Sequence, residues 1–207
     1  ERKREEFMNN IPSVLVAAGA SRRMGQPKQL LPWNHHTLIE HQVNTLLTSS
    51  QEVYVILGAY ADQIRPFLKN YSVNIIQCED WEKGMGNSLS FGIRKIKKEV
   101  EAIDGILISL IDQPLVNHEH LQILRSTFKA GGREIIASAS SHGWVGVPAL
   151  FSAHYLAALA SLKGEEGAKK IINAESKNVI KVQGKDLLVD MDTPEIYQEL
   201  FQKFSLQ

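Results

Sequence analysis

Short runs rich in β-branched and large aliphatic residues alternate along this chain with amphipathic stretches of helical length. The runs are SVLVAA (13–18), EVYVILG (52–58), VNIIQ (73–77), DGILISL (104–110) and EIIASAS (134–140), and the stretches lie near 36–48, 60–70, 87–99 and 117–129. No other feature constrains the fold as strongly, because strands that alternate with helices build a largely parallel sheet with helices on both faces. The expected fold class is α/β, a Rossmann-like three-layer α/β/α arrangement with a mostly parallel sheet. After Gly146 the pattern loosens. There PALF, NVIKV and DLLV read as strands, 152–162 and 165–174 as helices, and TPEIYQELFQKF as a closing helix that Thr193 caps and Pro194 begins. No repeat, low-complexity tract or linker rich in Pro, Gly or Ser divides the 207 residues. One domain over 1–207 is expected, with 1–11 a flexible or peripheral lead-in.

Charge removes several function classes. Lys and Arg together number 23 and so do Asp and Glu, so no global field draws the chain to nucleic acid or to an anionic membrane. Any affinity for phosphate must come from local placement. The opening ERKREE mixes both signs and has no apolar core, which is not the pattern of a secretory signal, and no apolar run spans a bilayer. Cys78 is the single cysteine, so there is no internal disulfide and no thiolate cluster for zinc. A reducing cytoplasm is the expected compartment.

In sheets of this kind ligands bind beyond the carboxyl ends of the strands. The first such end is LVAAGASRRMGQPKQLLPW (15–33), which runs through Gly19, Ser21, Arg23, Met24 and Gly25 to Lys28. It lacks the G-x-G-x-x-G of dinucleotide sites and the Lys-Ser/Thr pair of a Walker A loop. It remains a glycine-rich turn whose N–H groups can converge on an anion, with Arg23 offering a planar fork and Lys28 a point charge. A triphosphate suits that arrangement; a solvated basic turn is the plain alternative.

The second end is LISLIDQPLV, where a buried run breaks at Asp112 and a carboxylate there can bind a hard cation such as Mg²⁺ through oxygen. In VDMDTPE, Asp190 and Asp192 are spaced so that both could flank one ion, although helix capping accounts for one of them equally well. In WEKGMGNSLSFGI, Gly84 and Gly86 precede Ser88 at a probable helix start, where free N–H groups and the absence of a Cβ allow a flat base to approach the backbone. A glycine loop followed by an ordinary capped helix is the alternative there.

The string A-A-G-x-S-x-R-M-G-x-x-K-x-L-L-P resembles the signature of nucleotidyltransferases of the nucleotide-diphospho-sugar transferase fold, and is most similar to the molybdenum-cofactor cytidylyltransferase branch. D-Q-P, G-M-G-x-S-L and D-x-D-T-P-E resemble further blocks of that family in the same order, so the resemblance covers nearly the whole chain. It implies a nucleotide loop made of Ala17, Ala18, Gly19, Ser21, Arg23, Met24, Gly25 and Lys28, in which Arg23 grips the outer phosphates and Lys28 stabilises the reacting α-phosphate. Asp112 inherits the role of principal Mg²⁺ ligand, and Asp190 or Asp192 completes the shell. Gly86 and Ser88 would contact cytosine and its ribose. The GTP branch carries A-G-G where this chain has Ala17-Ala18-Gly19, which implies CTP.

The implied reaction transfers CMP from CTP to molybdenum-loaded molybdopterin, releases pyrophosphate and forms a cytosine dinucleotide cofactor for a client molybdenum hydroxylase. The acceptor would lie beyond residue 140, where SSHGWVGVPALF and LKGEEGAKKII resemble substrate-side segments and nominate Gly146, Pro148, Gly164 and Gly167. Glu165 stands where aspartate is common and Val145 where arginine is expected. These departures leave two other readings open: a sugar- or polyol-phosphate nucleotidyltransferase, and a cofactor carrier without turnover. His35 and His36 read as a solvated turn and His118 and His120 as an exposed helix start. Lys169 and Lys170 read as an exposed helix face, Cys78 as a small apolar residue, and Trp33, Trp81 and Trp144 as either packing or cleft lining.

Overall fold

The strand at the centre of the molecule, β1 (Ser13–Ala17), is buried along its whole length. Its alternate side chains enter opposite cores: Leu15 and Ala17 join one apolar cluster, Val14 and Val16 the other. A strand buried on both faces needs a helical layer on each side, and a computed structural model, which describes residues 9–204, contains both layers. The remaining strands are β2 (Pro32–Trp33), β3 (His36–Thr37), β4 (Val53–Leu57), β5 (Asn74–Gln77), β6 (Gly105–Leu110), β7 (Ile135–Ala139), β8 (Val145–Ser152) and β9 (Val179–Gln183). The helices are α1 (Leu38–Leu47), α2 (Ala61–Leu68), α3 (Met85–Glu99), α4 (His118–Thr127), α5 (Leu156–Leu159), α6 (Lys169–Ala174) and α7 (Pro194–Phe204). Buried residues of α1, α2, α4 and α7 pack in the cluster that holds Leu15, and those of α3, α5 and α6 in the cluster that holds Val14. The three-layer, mostly parallel α/β architecture is therefore present.

Seven strands form one sheet in the order β5-β4-β1-β6-β8-β7-β9. β1 pairs in parallel with β4 on one side and β6 on the other, so the winding direction reverses between β1 and β6. Loops leaving β1 and β6 thus diverge from a common crevice, the place where open α/β sheets accept ligands. β8 runs antiparallel to both β6 and β7. The cause is local: Ser140 N–H donates to Trp144 O at 2.8 Å, and Gly143 takes φ +86°, so the chain reverses at once after β7. The reversal brings Val145 and Gly146 to the edge occupied by the carboxyl end of β6.

Several expectations beyond Gly146 are corrected. PALF is a strand as expected, but within a longer one, the eight residues of β8. DLLV is not a strand: residues Lys185–Leu188 form a 3-10 turn in which Leu187 N–H donates to Gly184 O at 2.9 Å, which removes it from any ladder. In 152–162 only a 3-10 turn, Ala153–Tyr155, and the single turn of α5 form, and in 165–174 the α-helix occupies only Lys169–Ala174. A two-stranded ribbon, β2 with β3, was not foreseen. It leads into α1, where Thr37 and Glu40 form a capping box. Of the expected lead-in at 1–11, residues 1–8 lie outside the described residues; Ile11 is buried and its carbonyl accepts from Arg125 at 3.1 Å. No helix among the described residues is long and apolar enough to cross a membrane.

Candidate active site

The chain leaving β1 must turn within a few residues, and it does so by way of Ser21 in the left-handed region (φ 52°), a 3-10 turn at Arg22–Met24 and Gly25 at φ +68°. Gln29, fully buried, pins this loop from beneath: its Nε2 donates to Ala17 O at 2.9 Å and Gly19 O at 3.1 Å. Lys28 N–H donates to Ser21 Oγ at 3.2 Å and closes the loop on itself. Nothing lies within 4 Å of where a Cβ on Gly19 would stand. The loop therefore bounds open space, part of a cavity of about 390 Å³ lined by Ala18, Gly19, Ser21, Arg23, Met24 and Lys28 on this side. That volume suits a small ligand. Ala17 packs in the core and Gly25 supplies backbone conformation; neither lines the cavity. Gln29 was missed as a site residue because the sequence marks it only as a polar residue between Lys28 and Leu30.

Two cations and three carboxylates meet beyond the ends of β1 and β6. Lys28 is 8% exposed, and its Nζ donates to Asp192 Oδ1 at 2.9 Å and to Met191 O at 3.1 Å, with Asp112 Oδ2 at 3.9 Å. Arg23 reaches the other Asp192 oxygen at 3.0 Å. The C-terminal segment is brought here by Met191 N–H, which donates to Asp112 O at 2.7 Å. Gln113, fully buried, donates from Nε2 to Asp190 Oδ1 at 3.1 Å.

The three acids are electrostatically distinct. Burial, reinforced by the charges of Asp190 and Asp192, pushes the Asp112 carboxyl up to about 6 despite the attraction of Lys28. Burial and the neighbouring Asp192 also raise Asp190 above the ordinary aspartate value, against the Gln113 hydrogen bond. Burial opposes the charge on Asp192 as well, but the hydrogen bond and charge of Lys28, with Arg23, outweigh it and hold that carboxyl low.

Asp112 Oδ1 is buried and has no hydrogen-bond partner. An anionic oxygen in that condition fits a hard cation, the kind of ligand that carboxylates bind through oxygen. Asp192 uses both oxygens on cations, whereas Asp190 uses Oδ1 on Gln113, so Asp190 is the carboxylate with an oxygen to spare. Among the described residues no group of three or more His, Cys, Asp or Glu could hold an ion by itself. A cation here would complete its shell with phosphate or water oxygens, the usual situation for Mg²⁺.

The facing wall comes from the segment before α3 and from the loop before α6, with Trp81, Gly84, Met85, Ser88 and Glu165 lining the cavity. Ser88 is buried, 3.4 Å from Gly84 O. Gly86 does not line the cavity. Its N–H donates to Gly164 O at 2.8 Å, and a Cβ on it would stand 2.3 Å from Glu166 O and 2.9 Å from Lys163 O. Gly84, at φ +108°, would likewise bring a Cβ within 2.3 Å of Gly164 O. These glycines fuse the two loops of the wall. Gly86→Ala is expected to destabilise the fold by about 1–3 kcal/mol, as forced overpacking does, read as a lower melting temperature. An unchanged melting temperature would show that the 163–167 loop yields without cost.

Of the residues nominated for an acceptor, Gly164 and Gly167 belong to this wall; a Cβ on Gly167 would meet the end of Met85 at 3.4 Å. Gly146 and Pro148 lie on β8, and a Cβ on Gly146 would enter the Trp144 ring at 2.4 Å. Trp33 is core and Cys78 is buried. His120 is not an exposed residue: it is 3% exposed and its Nε2 lies 2.7 Å from Ser138 Oγ, because α4 turns this face onto β7.

Residues 13–179 match a family model described as "MobA-like NTP transferase domain". "Purine catabolism protein PucB" of Bacillus subtilis (strain 168) is 34% identical over 198 residues, covering 89% of this chain and 92% of that protein. A "Probable molybdenum cofactor guanylyltransferase" of Bacillus cereus is 35% identical over 117 residues, 56% of each chain. Among solved structures, Rv0371c from Mycobacterium tuberculosis H37Rv superposes with a TM-score of 0.79 at 26% identity, covering 94% of this chain and 98% of that one.

Proposed function

The chain belongs to the MobA-like NTP transferase family and is a nucleotidyltransferase of the nucleotide-diphospho-sugar transferase fold, and from that premise we propose that it transfers CMP from CTP to molybdenum-loaded molybdopterin. One observation carries the reading: Lys28, Arg23 and the Asp112 carboxylate converge on a glycine-walled cavity at the switch point of the sheet. Arg23 and the loop N–H groups receive the outer phosphates. Lys28 meets the α-phosphate, where negative charge accumulates as the bond to the bridging oxygen breaks. An oxygen of the acceptor's terminal phosphate forms the new bond to the α-phosphorus, and pyrophosphate leaves with the electron pair. The nucleophile is already an anion, so no side chain has to remove a proton.

Asp112 and Asp190 are the residues that would hold a divalent ion, for which Mg²⁺ is our assignment. When bound, such an ion neutralises charge on the triphosphate oxygens. Asp190→Asn is expected to raise the Mg²⁺ concentration needed for half-maximal rate by about tenfold or more. Asp192→Asn is expected to lower turnover and leave that Mg²⁺ dependence in place, because Asp192 orients the two cations. Identical Mg²⁺ titrations for wild type and Asp190→Asn would remove Asp190 from the metal site.

CTP is favoured by Ala18, whose buried methyl occupies cavity wall that a glycine would leave to a wider base. Molybdopterin is favoured by the relatives named for the molybdenum cofactor. A client molybdenum enzyme acting on purines accords with the name of the Bacillus subtilis relative. The test offers purified protein CTP, GTP, ATP and UTP in parallel, with Mg²⁺ and molybdenum-loaded molybdopterin, and measures pyrophosphate. Preference for GTP overturns the base assignment. Release that does not depend on the pterin overturns the acceptor.

A further inference from the structure

The three acids that stand beyond β6 create a problem for any phosphate-bearing acceptor: the edge it must cross carries Asp112, Asp190 and Asp192. On the nucleotide side Lys28 and Arg23 both pair with Asp192, and the proposed function assigns them to the triphosphate rather than to the acceptor. In-line displacement places the attacking oxygen opposite the leaving pyrophosphate. With the outer phosphates held over the loop after β1, the acceptor must come from the other side of Asp112, over the ends of β8, β7 and β9.

A lysine stands beside that edge. Lys169 opens α6, which packs against β8, and its Nζ sits 5.1 Å from the centre of the Trp144 ring. The indole is in turn held by its neighbour, because only a glycine at 146 leaves room for the ring. Lys169 forms no ion pair with a carboxylate among the described residues, whereas the adjacent Lys170 pairs with Glu166 on the same loop. An exposed ammonium over an aromatic face keeps its charge available for a stronger partner, because a cation–π contact at a solvent-exposed site is weak.

We propose that Lys169 binds the terminal phosphate of the acceptor, with Trp144 as the positioning residue that holds the ammonium at the acceptor edge. The inference deepens the proposed function and rests on it for the order of substrates across the sheet, but it requires only that the acceptor end in a phosphate. Lys169 does lie on an exposed helix face, as expected, and the inference adds a ligand role to that position. It also gives Gly146 an indirect role, as the residue that seats Trp144.

The experiment measures pyrophosphate release with CTP and Mg²⁺ against three acceptors in turn: molybdenum-loaded molybdopterin, a sugar 1-phosphate and a polyol phosphate. Wild type is compared with Lys169→Ala, Lys169→Arg and Trp144→Leu. Lys169→Ala is expected to raise the acceptor KM about tenfold, the loss of one exposed charge-assisted contact, while the CTP KM stays within twofold. Lys169→Arg should restore most of the affinity, and Trp144→Leu should move the acceptor KM in the same direction by less. A merely structural role for either residue would move both KM values together. If molybdopterin is used and Lys169→Ala leaves its KM unchanged, the inference falls and the proposed function stands. If only a sugar or polyol phosphate is used and its KM depends on Lys169, the inference stands and the molybdopterin reading falls. Absence of pyrophosphate with all three overturns both.

Discussion

Lys28→Ala is expected to lower the rate of pyrophosphate release by about 10²- to 10³-fold at saturating CTP and acceptor, the loss that follows removal of one preorganised donor aimed at developing charge. The side chain is held in place before any ligand arrives, by Asp192 Oδ1 at 2.9 Å and Met191 O at 3.1 Å. Its burial to 8% exposure strengthens each of these contacts relative to water. No reorganisation is then needed when charge develops on the α-phosphate. Lys28→Arg should recover little, because the Nζ is held as a point charge between Asp192 Oδ1 and Met191 O, and a longer planar fork presents its donors at other positions. The measurement is single-turnover pyrophosphate release, which separates the chemical step from binding. A loss below tenfold would assign Lys28 to structure, where its part in neutralising Asp112 and Asp192 would be its only one.

Asp112→Asn should have opposite effects on activity and stability. Loss of the carboxylate proposed to hold the cation is expected to reduce turnover by about 10²-fold or more. The ligand-free protein, however, should become more stable. Its Asp112 carboxyl titrates near 6, above the ordinary value of 3.8, so the folded state binds that proton more tightly than the unfolded state does. Stability therefore falls as pH rises through the window between those values, and the full cost is present above pH 6. Asparagine carries no charge and escapes that cost. The variant should melt higher than wild type at pH 7, by roughly 2–4 °C for each kcal/mol recovered, and the difference should vanish near pH 4. Cation and triphosphate binding in wild type should weaken below pH 6, when the carboxylate is protonated. A variant that melts lower at pH 7 would mean that attraction to Lys28 outweighs desolvation. Lys28 keeps Asp192 and Met191 O in either case.

Much of this architecture can be read from the chain because its central strands are buried on both faces. Runs such as VYVIL and GILISL have one stable destination, and each is a sheet strand within a residue or so of the expected limits. The half after Gly146 is less legible for the same reason inverted. β9 at the sheet edge has exposed positions, VIKVQ, and DLLV has similar composition yet forms a turn, because the hydrogen bond to Gly184 closes before any partner strand is available. Apolar content there does not distinguish a strand from a turn that packs on its own glycine, as Leu188 does on Gly184.

The candidate site divides similarly. Residue types, order along the chain and the family resemblance were enough to nominate the glycine loop, the two cations and the three acids, since triphosphate chemistry requires such groups at strand ends. Only the folded chain assigned partners among them: Asp192 to Lys28 and Arg23, Asp190 to Gln113, and Asp112 to an unpaired, buried oxygen. It also gave Gly86 to wall packing and buried His120 against Ser138. Lys169 was set beside Trp144 across some 25 residues, as the numbering shows. Local sequence specifies strands, turns and the chemistry available at their ends, because these depend on neighbours along the chain. Which oxygen faces which nitrogen depends on strand order and crossover geometry, which bring residues 28, 112 and 192 within a few ångströms although 80 or more positions separate each from the next.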